Sequence, residues 1–217
     1  MTDSPAAPPV VIIGPMGAGK SSVGKRVARA LGVPFTDTDR VVVRTHGPIP
    51  AIFAERGEAA FRALEAEAVR QALATGGVVA VGGGAVTHPD TRAALVGARI
   101  VLLTVSPEAV ADRIAGSDRP LLAAGGLEAW QTIADQRAST YADLAHVVVD
   151  TSRRPMTRVA EEVAAWVRAG ATPAPTGRPA PATPTASAPT AGTAAPSTPV
   201  PGPGPVRPGP PPTRGTP

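Results

Sequence analysis

The chain has 217 residues, of which 43% are hydrophobic and 18% charged, with a formal net charge of +4 and no cysteine. The missing cysteines exclude disulfides and thiolate metal sites. No apolar run approaches the roughly 18 residues that span a bilayer, and the N-terminus lacks a secretory pattern, so we expect a soluble cytoplasmic protein without a membrane partner.

Composition divides the chain into three parts. Residues 1–8 are polar and rich in Pro and Ala, and we expect them to be disordered. Residues 171–217 hold 16 of the 27 prolines and no Asp or Glu, which predicts a disordered tail with polyproline II character. Residues 9–170 have a normal length for one α/β domain. Because three arginines of the tail supply most of the +4 charge, we expect no nucleic-acid partner.

The first predicted strand, Val10–Ile13, leads into a glycine-rich loop and then an amphipathic helix. Residues 14–21 read Gly-Pro-Met-Gly-Ala-Gly-Lys-Ser, which matches every fixed position of the G-x-x-x-x-G-K-[ST] phosphate-binding motif. In that motif backbone N–H groups surround the phosphates. Lys20 would reach the β- and γ-phosphates, and the Ser21 hydroxyl would ligate Mg²⁺.

The second predicted strand, Phe35–Asp37, ends in Asp37-Thr38-Asp39. The carboxyl ends of parallel strands form the ligand crevice of an open α/β sheet, where the phosphate loop also lies. One carboxylate could support Mg²⁺ while the other orients or deprotonates a hydroxyl. The alternative is that Asp39 only caps a helix that begins at Arg40.

Further elements alternate between short β-branched strands and helices, which predicts a parallel sheet covered on both faces. A helix over Glu55–Leu73 carries Arg62, and three glycines, 82–84, follow the strand Val78–Val81. These glycines would allow close backbone approach to a ligand. The alternative is a tight strand-to-helix turn, but a turn rarely needs three glycines. The later strands and the last helix are Arg99–Thr104, Val147–Val149 and Pro155–Val167.

Three arginines lie in segments that could approach the crevice. Arg62 is on the helix described above, Arg119 is in a glycine-rich stretch at 116–127, and Arg137 precedes Tyr141 on a later helix. Guanidinium groups can bind carboxylates and phosphates through two parallel hydrogen bonds. The stretch 116–127 is consistent either with a mobile flap or with a simple surface loop.

In this arrangement the chain resembles the shikimate kinases, small P-loop kinases related to the nucleoside-monophosphate kinases, over about residues 10–168. The phosphate loop by itself indicates only a nucleotide. More specific are the stretch Gly-Glu-Ala-Ala-Phe-Arg-Ala-Leu-Glu at 57–65 and Arg-Pro-Leu-Leu at 119–122. The resemblance implies a three-layer α/β/α P-loop kinase domain with a central five-stranded parallel sheet, and transfer of the ATP γ-phosphoryl group to the 3-hydroxyl of shikimate by a monomer.

The resemblance also implies a role for each matching residue. Lys20, Asp39 and Arg119 would be catalytic, with Asp39 also binding the shikimate hydroxyls. Ser21 and Asp37 would hold Mg²⁺. The shikimate carboxylate would be bound by Arg62 and Arg137 near the Gly83 N–H, with Glu65 orienting Arg62. ATP would be bound by Gly17, Ala18, Gly19, Lys20, Ser21, Ser22, Arg119 and Arg154, with a weaker indication for Arg113 or Arg153 at the adenine.

The chain departs from the family pattern at two points, and three other interpretations of its function are weighed against the resemblance. Ser139-Thr140 replaces the Pro-Leu that commonly precedes the tyrosine, and the proline-rich tail lies outside the family domain. Another small kinase such as a gluconate kinase would not explain the Asp37/Asp39 pair and the Arg62 motif. A nucleotide-dependent switch would give no reason for the three arginines. A partner-binding tail rests on Pro205-Val206-Arg207-Pro208, a pattern that proline-rich segments produce by chance.

Overall fold

The computed structural model describes residues 7–114 and 126–170. Within these residues, five parallel strands form one sheet in the order β2-β3-β1-β4-β5. The strands are β1 Val10–Ile13, β2 Phe35–Asp37, β3 Val78–Ala80, β4 Arg99–Thr104 and β5 Val147–Asp150. The prediction of a five-stranded parallel sheet is therefore confirmed, with β3 one residue shorter and β5 one residue longer than predicted.

Helices connect the strands. They are α1 Lys20–Leu31, α2 Thr38–His46, α3 Ile49–Thr75, α4 Pro89–Ala94, α5 Pro107–Ile114, α6 Gly126–Leu144 and α7 Met156–Arg168, with a short 3-10 helix at Ala85–Thr87. Helix α3 is longer than the predicted Glu55–Leu73 and is kinked at Gly57, whose φ of 77° lies in the left-handed region. Arg62 therefore lies in the first turns after the kink.

The alternation of side chains along each strand divides the core between the two faces of the sheet. Val10 and Ile12 pack with Val27 of α1 and Val163 of α7. Val11 and Ile13 point to the opposite face and belong to a second core, which includes residues of α3 and α6. Helices thus pack on both faces of the sheet, and the three-layer α/β/α architecture is confirmed.

The strand order determines where the ligand crevice of the sheet lies. β1 lies between β3 and β4: the connection that leaves β1 runs to β2 at one edge of the sheet, whereas the connection that leaves β3 passes β1 and reaches β4 on its other side. Such a switch point opens a crevice at the carboxyl ends of the strands, where α/β proteins bind their ligands. The phosphate loop follows β1 directly, at the centre of this edge.

Several predictions concern residues outside the described ranges. The flap at 116–127 is described only at Gly126 and Leu127, which begin α6. The division into residues 1–8, 9–170 and 171–217 stays a prediction. Each helix within 7–114 and 126–170 is too short or too polar to cross a lipid bilayer.

Candidate active site

The phosphate loop connects β1 to α1 and ends at Gly19, the residue that precedes the helix. Gly19 is the N-cap residue in left-handed conformation, and among the described residues none caps α1 with its side chain. The first turn of α1 also contains no acidic residue. Its N–H groups and the positive end of the helix dipole are thus suited to bind phosphate. Lys20 Nζ donates to the carbonyls of Gly14, at 2.8 Å, and Pro15, at 3.0 Å.

A cavity of about 490 Å³ lies beside this loop. Its polar side is formed by Asp39, Arg62, Glu65 and Arg137, which come from three different helices. Its apolar side is formed by residues of α2, α3 and their connection: Val43, Pro48, Ile49, Pro50, Phe53 and Phe61. The cavity thus combines cations for a carboxylate, a carboxylate for hydroxyl groups and an apolar wall, which suits a small hydroxylated carboxylic acid.

Arg62 is fixed by two glutamates on its own helix. Its Nη1 donates to Glu65 Oε2 at 2.7 Å, and its Nη2 donates to Glu58 Oε1 at 3.0 Å. The guanidinium carbon also lies 5.1 Å from the centre of the Phe61 ring. Arg62 is 7% exposed and Glu65 is 1% exposed, so the pair is desolvated and its geometry is tightly constrained.

The pKa values of this pair follow from burial and mutual charge. Burial disfavours the charged form of Arg62, but the charges and hydrogen bonds of Glu65 and Glu58 outweigh burial and raise the pKa of Arg62. Burial raises the pKa of Glu65, the charge of Asp39 adds to this rise, and Arg62 opposes it. Glu65 is therefore electrostatically coupled both to the arginine it holds and to Asp39.

Two of the three glycines after β3 make this packing possible. A Cβ on Gly84 would lie closer than 3.0 Å to the Arg62 guanidinium, and one on Gly82 would meet Glu65 Oε1 and Asp39 Oδ1. A larger residue at either position would displace the charged side chains. The glycines are thus required for close approach, and the atoms that approach them are side chains of the site itself.

Gly83, the middle glycine, lines the cavity and lies next to the phosphate loop. A Cβ on Gly83 would lie 3.5 Å from Met16 N and 3.8 Å from Lys20 Nζ, which are ordinary contact distances. The Gly83 carbonyl accepts hydrogen bonds from Arg137 Nη1, at 3.1 Å, and from the Tyr141 hydroxyl. From the resemblance we expected the Gly83 N–H to lie near the bound carboxylate. The structure shows in addition that the Gly83 carbonyl holds Arg137 and Tyr141.

The two aspartates after β2 have different environments. Asp37 Oδ1 accepts a hydrogen bond from Arg40 N at 3.2 Å and is the N-cap of α2. The alternative prediction that Asp39 caps this helix is therefore wrong, because α2 begins two residues earlier than expected. Asp39 lies in the first turn of α2 and lines the cavity.

Ser21 and Asp37 lie on the same face and edge of the sheet. Gly24 of α1 packs on the ring of Phe35, since a Cβ on Gly24 would be 2.7 Å from Phe35 Cε2. Ser21 precedes Gly24 by about one turn of α1, and Asp37 follows Phe35 by two residues on the same face of β2. Both residues therefore lie nearer to the phosphate loop than the contact between Gly24 and Phe35. A hydroxyl and a carboxylate suit Mg²⁺, which usually takes one or two protein ligands besides phosphates and waters. Residues 7–114 and 126–170 contain no group of three or more acidic or histidine side chains that could hold a metal ion.

The opposite side of the phosphate loop is bordered by the β5–α7 connection. Met156 Sδ lies 2.9 Å from the position of a Cβ on Gly19. Arg113 donates to Gly17 O at 3.1 Å and to Thr151 O at 2.8 Å, so it connects the phosphate loop to this segment. Arg154 is in the same connection and forms an ion pair with Glu162. Arg113 thus contacts the phosphate loop, and neither Arg113 nor Arg154 lines the cavity described above.

The structure brings together most of the residues anticipated from sequence, but Arg119 lies outside the described residues. It also adds residues that sequence reasoning assigned no site role: Glu58, Trp130 and Tyr141. A signal for Tyr141 was present, since it follows Arg137 by four residues on one helix and thus faces the same side. Ser139-Thr140 does not interrupt α6, which is continuous from Gly126 to Leu144.

Comparisons with known proteins agree with this geometry. A family model described as shikimate kinase matches residues 16–168. A shikimate kinase from Salinispora arenicola is 48% identical over 166 residues, which cover 75% of this chain and 99% of that relative. One from Streptomyces coelicolor is 46% identical over 152 residues, which cover 69% and 89% of the two chains.

Solved structures show the same relationship. The structure of the shikimate kinase from Acinetobacter baumannii in complex with shikimate matches with a TM-score of 0.73 at 29% identity, covering 76% of this chain and 95% of that chain. A gluconokinase from Sinorhizobium meliloti matches with a TM-score of 0.51 at 23% identity and covers 76% of this chain and 95% of its own, so it shares only the fold. With its phosphate loop, its arginine-lined cavity and a family match over most of its length, this chain belongs to the shikimate kinase family.

Proposed function

We propose that this protein transfers the γ-phosphoryl group of ATP to the 3-hydroxyl of shikimate, giving 3-phosphoshikimate and ADP in the pathway to chorismate and the aromatic amino acids. The observation that carries the proposal is the cavity lined by Asp39, Arg62 and Arg137 together with Gly83, whose Cβ position is 3.8 Å from Lys20 Nζ. Shikimate has one carboxylate and three hydroxyls, and the cavity offers matching cations and an acceptor.

We propose that Arg62 and Arg137 bind the shikimate carboxylate, with the Gly83 N–H nearby. Bidentate guanidinium pairing would fix the orientation of the ring as well as its charge. Glu65 and Glu58 support this role because they hold the Arg62 guanidinium in one orientation before the substrate arrives. Asp39 would accept hydrogen bonds from the ring hydroxyls on the opposite side.

The transfer itself requires in-line placement more than covalent chemistry by the protein. The 3-hydroxyl oxygen attacks the γ-phosphorus while the bond to the β-phosphate oxygen breaks, and the hydroxyl proton passes to Asp39. Lys20 stabilises the negative charge on the transferring group, and we propose that Arg119 adds a second cation there. Gly17, Ala18, Gly19, Ser21 and Ser22 would bind the remaining phosphate oxygens, with Arg154 on the adenine side.

Mg²⁺ fits this site through the Ser21 hydroxyl and, by way of water, the Asp37 carboxylate. When bound, the ion would neutralise charge on the β- and γ-phosphates. The cap hydrogen bond uses only Oδ1 of Asp37, which is compatible with a contact from Oδ2. We further propose a cytoplasmic monomer without nucleic-acid or membrane partners. The small charge of residues 9–170 supports the absence of a nucleic-acid partner.

A coupled assay of ADP release by the purified chain tests the proposed function. We expect turnover to depend on shikimate and on Mg²⁺, and to stay near background with gluconate or without an acceptor. Chelation of Mg²⁺ with EDTA should abolish turnover, and added MgCl₂ should restore it. Turnover with gluconate and none with shikimate would support the rival kinase reading, and ATP hydrolysis that no acceptor accelerates would support a nucleotide switch.

A further inference from the structure

One face of α6 binds both loops of the site through side-chain donors. Trp130, Arg137 and Tyr141 are separated by seven and four residues, which places them on the same side of the helix. Trp130 Nε1 donates to Met16 O of the phosphate loop at 2.9 Å. Arg137 and Tyr141 both donate to Gly83 O of the glycine loop. The helix therefore contacts the backbone of the donor side and of the acceptor side.

These two loops are direct neighbours. The Cβ position of Gly83 is 3.5 Å from Met16 N and 3.6 Å from Gly14 O. Trp130 belongs to the core on the α1 and α7 face of the sheet, whereas Tyr141 belongs to the core on the opposite face. Helix α6 thus crosses the carboxyl edge of the sheet with both ends anchored in cores. A rigid element that contacts both loops can fix their separation.

We propose that Trp130 and Tyr141 are positioning residues for phosphoryl transfer. Trp130 would act through Met16 on the phosphate loop, and Tyr141 would act through Gly83 on the glycine loop and on Arg137. Neither side chain has to touch a substrate for this role. The inference rests on the proposed function and adds residues that the mechanism above does not use.

The environment of Tyr141 supports such a role. Its side chain is buried, with 3% of the residue exposed, and burial raises its pKa while Arg137 partly opposes the rise. The hydroxyl therefore stays protonated and remains a donor at neutral pH. Without it, Gly83 O would depend on the Arg137 guanidinium alone, which would draw that guanidinium away from a carboxylate in the cavity.

Conservative variants separate positioning from packing. Tyr141→Phe keeps the ring and removes the hydroxyl, and we expect the KM for shikimate to rise about tenfold while the KM for ATP stays within about twofold. Trp130→Phe keeps an aromatic ring and removes the donor to Met16, and we expect the opposite pattern, with the KM for ATP rising about fivefold. Trp166→Phe on α7 is the matched control and should leave both KM values unchanged.

The readout is independent of how much of each variant folds, because a KM does not depend on the concentration of active enzyme. Equal increases in both KM values for Tyr141→Phe, or no increase, would overturn the inference. A wild-type chain that fails to phosphorylate shikimate would instead overturn the proposed function, and the inference with it. An active wild type alongside variants with unchanged KM values would overturn the inference alone.

Discussion

Glu65 holds Arg62 by a 2.7 Å hydrogen bond within the polar side of the cavity, and only 1% of Glu65 is exposed. A carboxylate this deeply buried is costly unless it is paired. Its partner is Arg62, which we propose binds the shikimate carboxylate. The carboxylates of Glu65 and Asp39 both lie close to Gly82. The energy of this buried pair is thus coupled to the geometry of the substrate site.

Replacing Glu65 by glutamine tests this coupling. Gln keeps the size and one acceptor but removes the charge, so the Arg62 guanidinium should lose its fixed orientation. We expect the KM for shikimate to rise about tenfold, equivalent to roughly 1.4 kcal/mol, with the KM for ATP nearly unchanged. Glu67→Gln removes an exposed partner of Arg70 on the same helix and is the matched control without an effect. An equal response of the two variants in steady-state kinetics would refute a special role for Glu65.

The pH dependence of activity should report the same pair. Burial and the charge of Asp39 raise the pKa of Glu65, so on acidification Glu65 becomes neutral at a higher pH than an exposed glutamate would. The charge that orients Arg62 is lost at that point, and kcat/KM for shikimate should fall. In Glu65→Gln this group cannot titrate, and the negative charge beside Asp39 is gone.

We therefore expect the acid limb of kcat/KM to move to lower pH in Glu65→Gln than in the wild type. Initial rates at low shikimate concentration between about pH 4.5 and pH 8 would measure it. If kcat/KM for shikimate fell at the same pH in both proteins, the titration of Glu65 would not govern kcat/KM.

The glycine loop offers a comparison between neighbouring positions. Gly84→Ala would place a methyl group against the Arg62 guanidinium, and we expect the KM for shikimate to rise at least tenfold because that side chain must move. Gly83→Ala meets only ordinary contacts and keeps both backbone polar groups, so its effect should be clearly smaller. Shikimate titrations of the two variants would decide, and a larger effect at Gly83 would contradict this account of the packing.

Much of the fold was predictable because its signals are local. The phosphate loop was predicted from its motif between a strand and a helix, and the parallel sheet from four short β-branched runs together with the shorter strand Phe35–Asp37. The position of the α2 cap was not predictable, because Asp37 and Asp39 are both good cap residues and tertiary packing decides where the helix begins. The contacts of Gly82 and Gly84 were also out of reach, since they depend on how α3 passes over the sheet.

Arg113 provides a prediction for the nucleotide side. It connects Gly17 O to Thr151 O, and a lysine could not reproduce its several directed hydrogen bonds. We expect Arg113→Lys to raise the KM for ATP about fivefold and to leave the KM for shikimate within about twofold. Arg158→Lys in an exposed pair with Glu161 is the matched control, and both are measured in the ADP-release assay. A selective loss of shikimate affinity in Arg113→Lys would contradict the assignment.

The proline-rich tail provides a prediction about domain organisation. The family match ends at residue 168 and the last helix, α7, ends at Arg168. A chain truncated after Gly170 should therefore keep kcat and both KM values within about twofold and unfold at nearly the same temperature. Thermal unfolding and steady-state kinetics of the truncated and full chains provide the comparison. A collapse of activity would show that the tail contributes to the catalytic domain.

Identification of the reaction product tests the central claim most directly. The purified full chain is incubated with Mg²⁺, ATP and shikimate, and the product is analysed by phosphorus–proton correlation NMR and mass spectrometry. The account predicts one ADP for each 3-phosphoshikimate, with the phosphorus coupled to the proton on carbon 3 of the ring. Phosphate on another hydroxyl, or ADP formed without a phosphorylated acceptor, would contradict it.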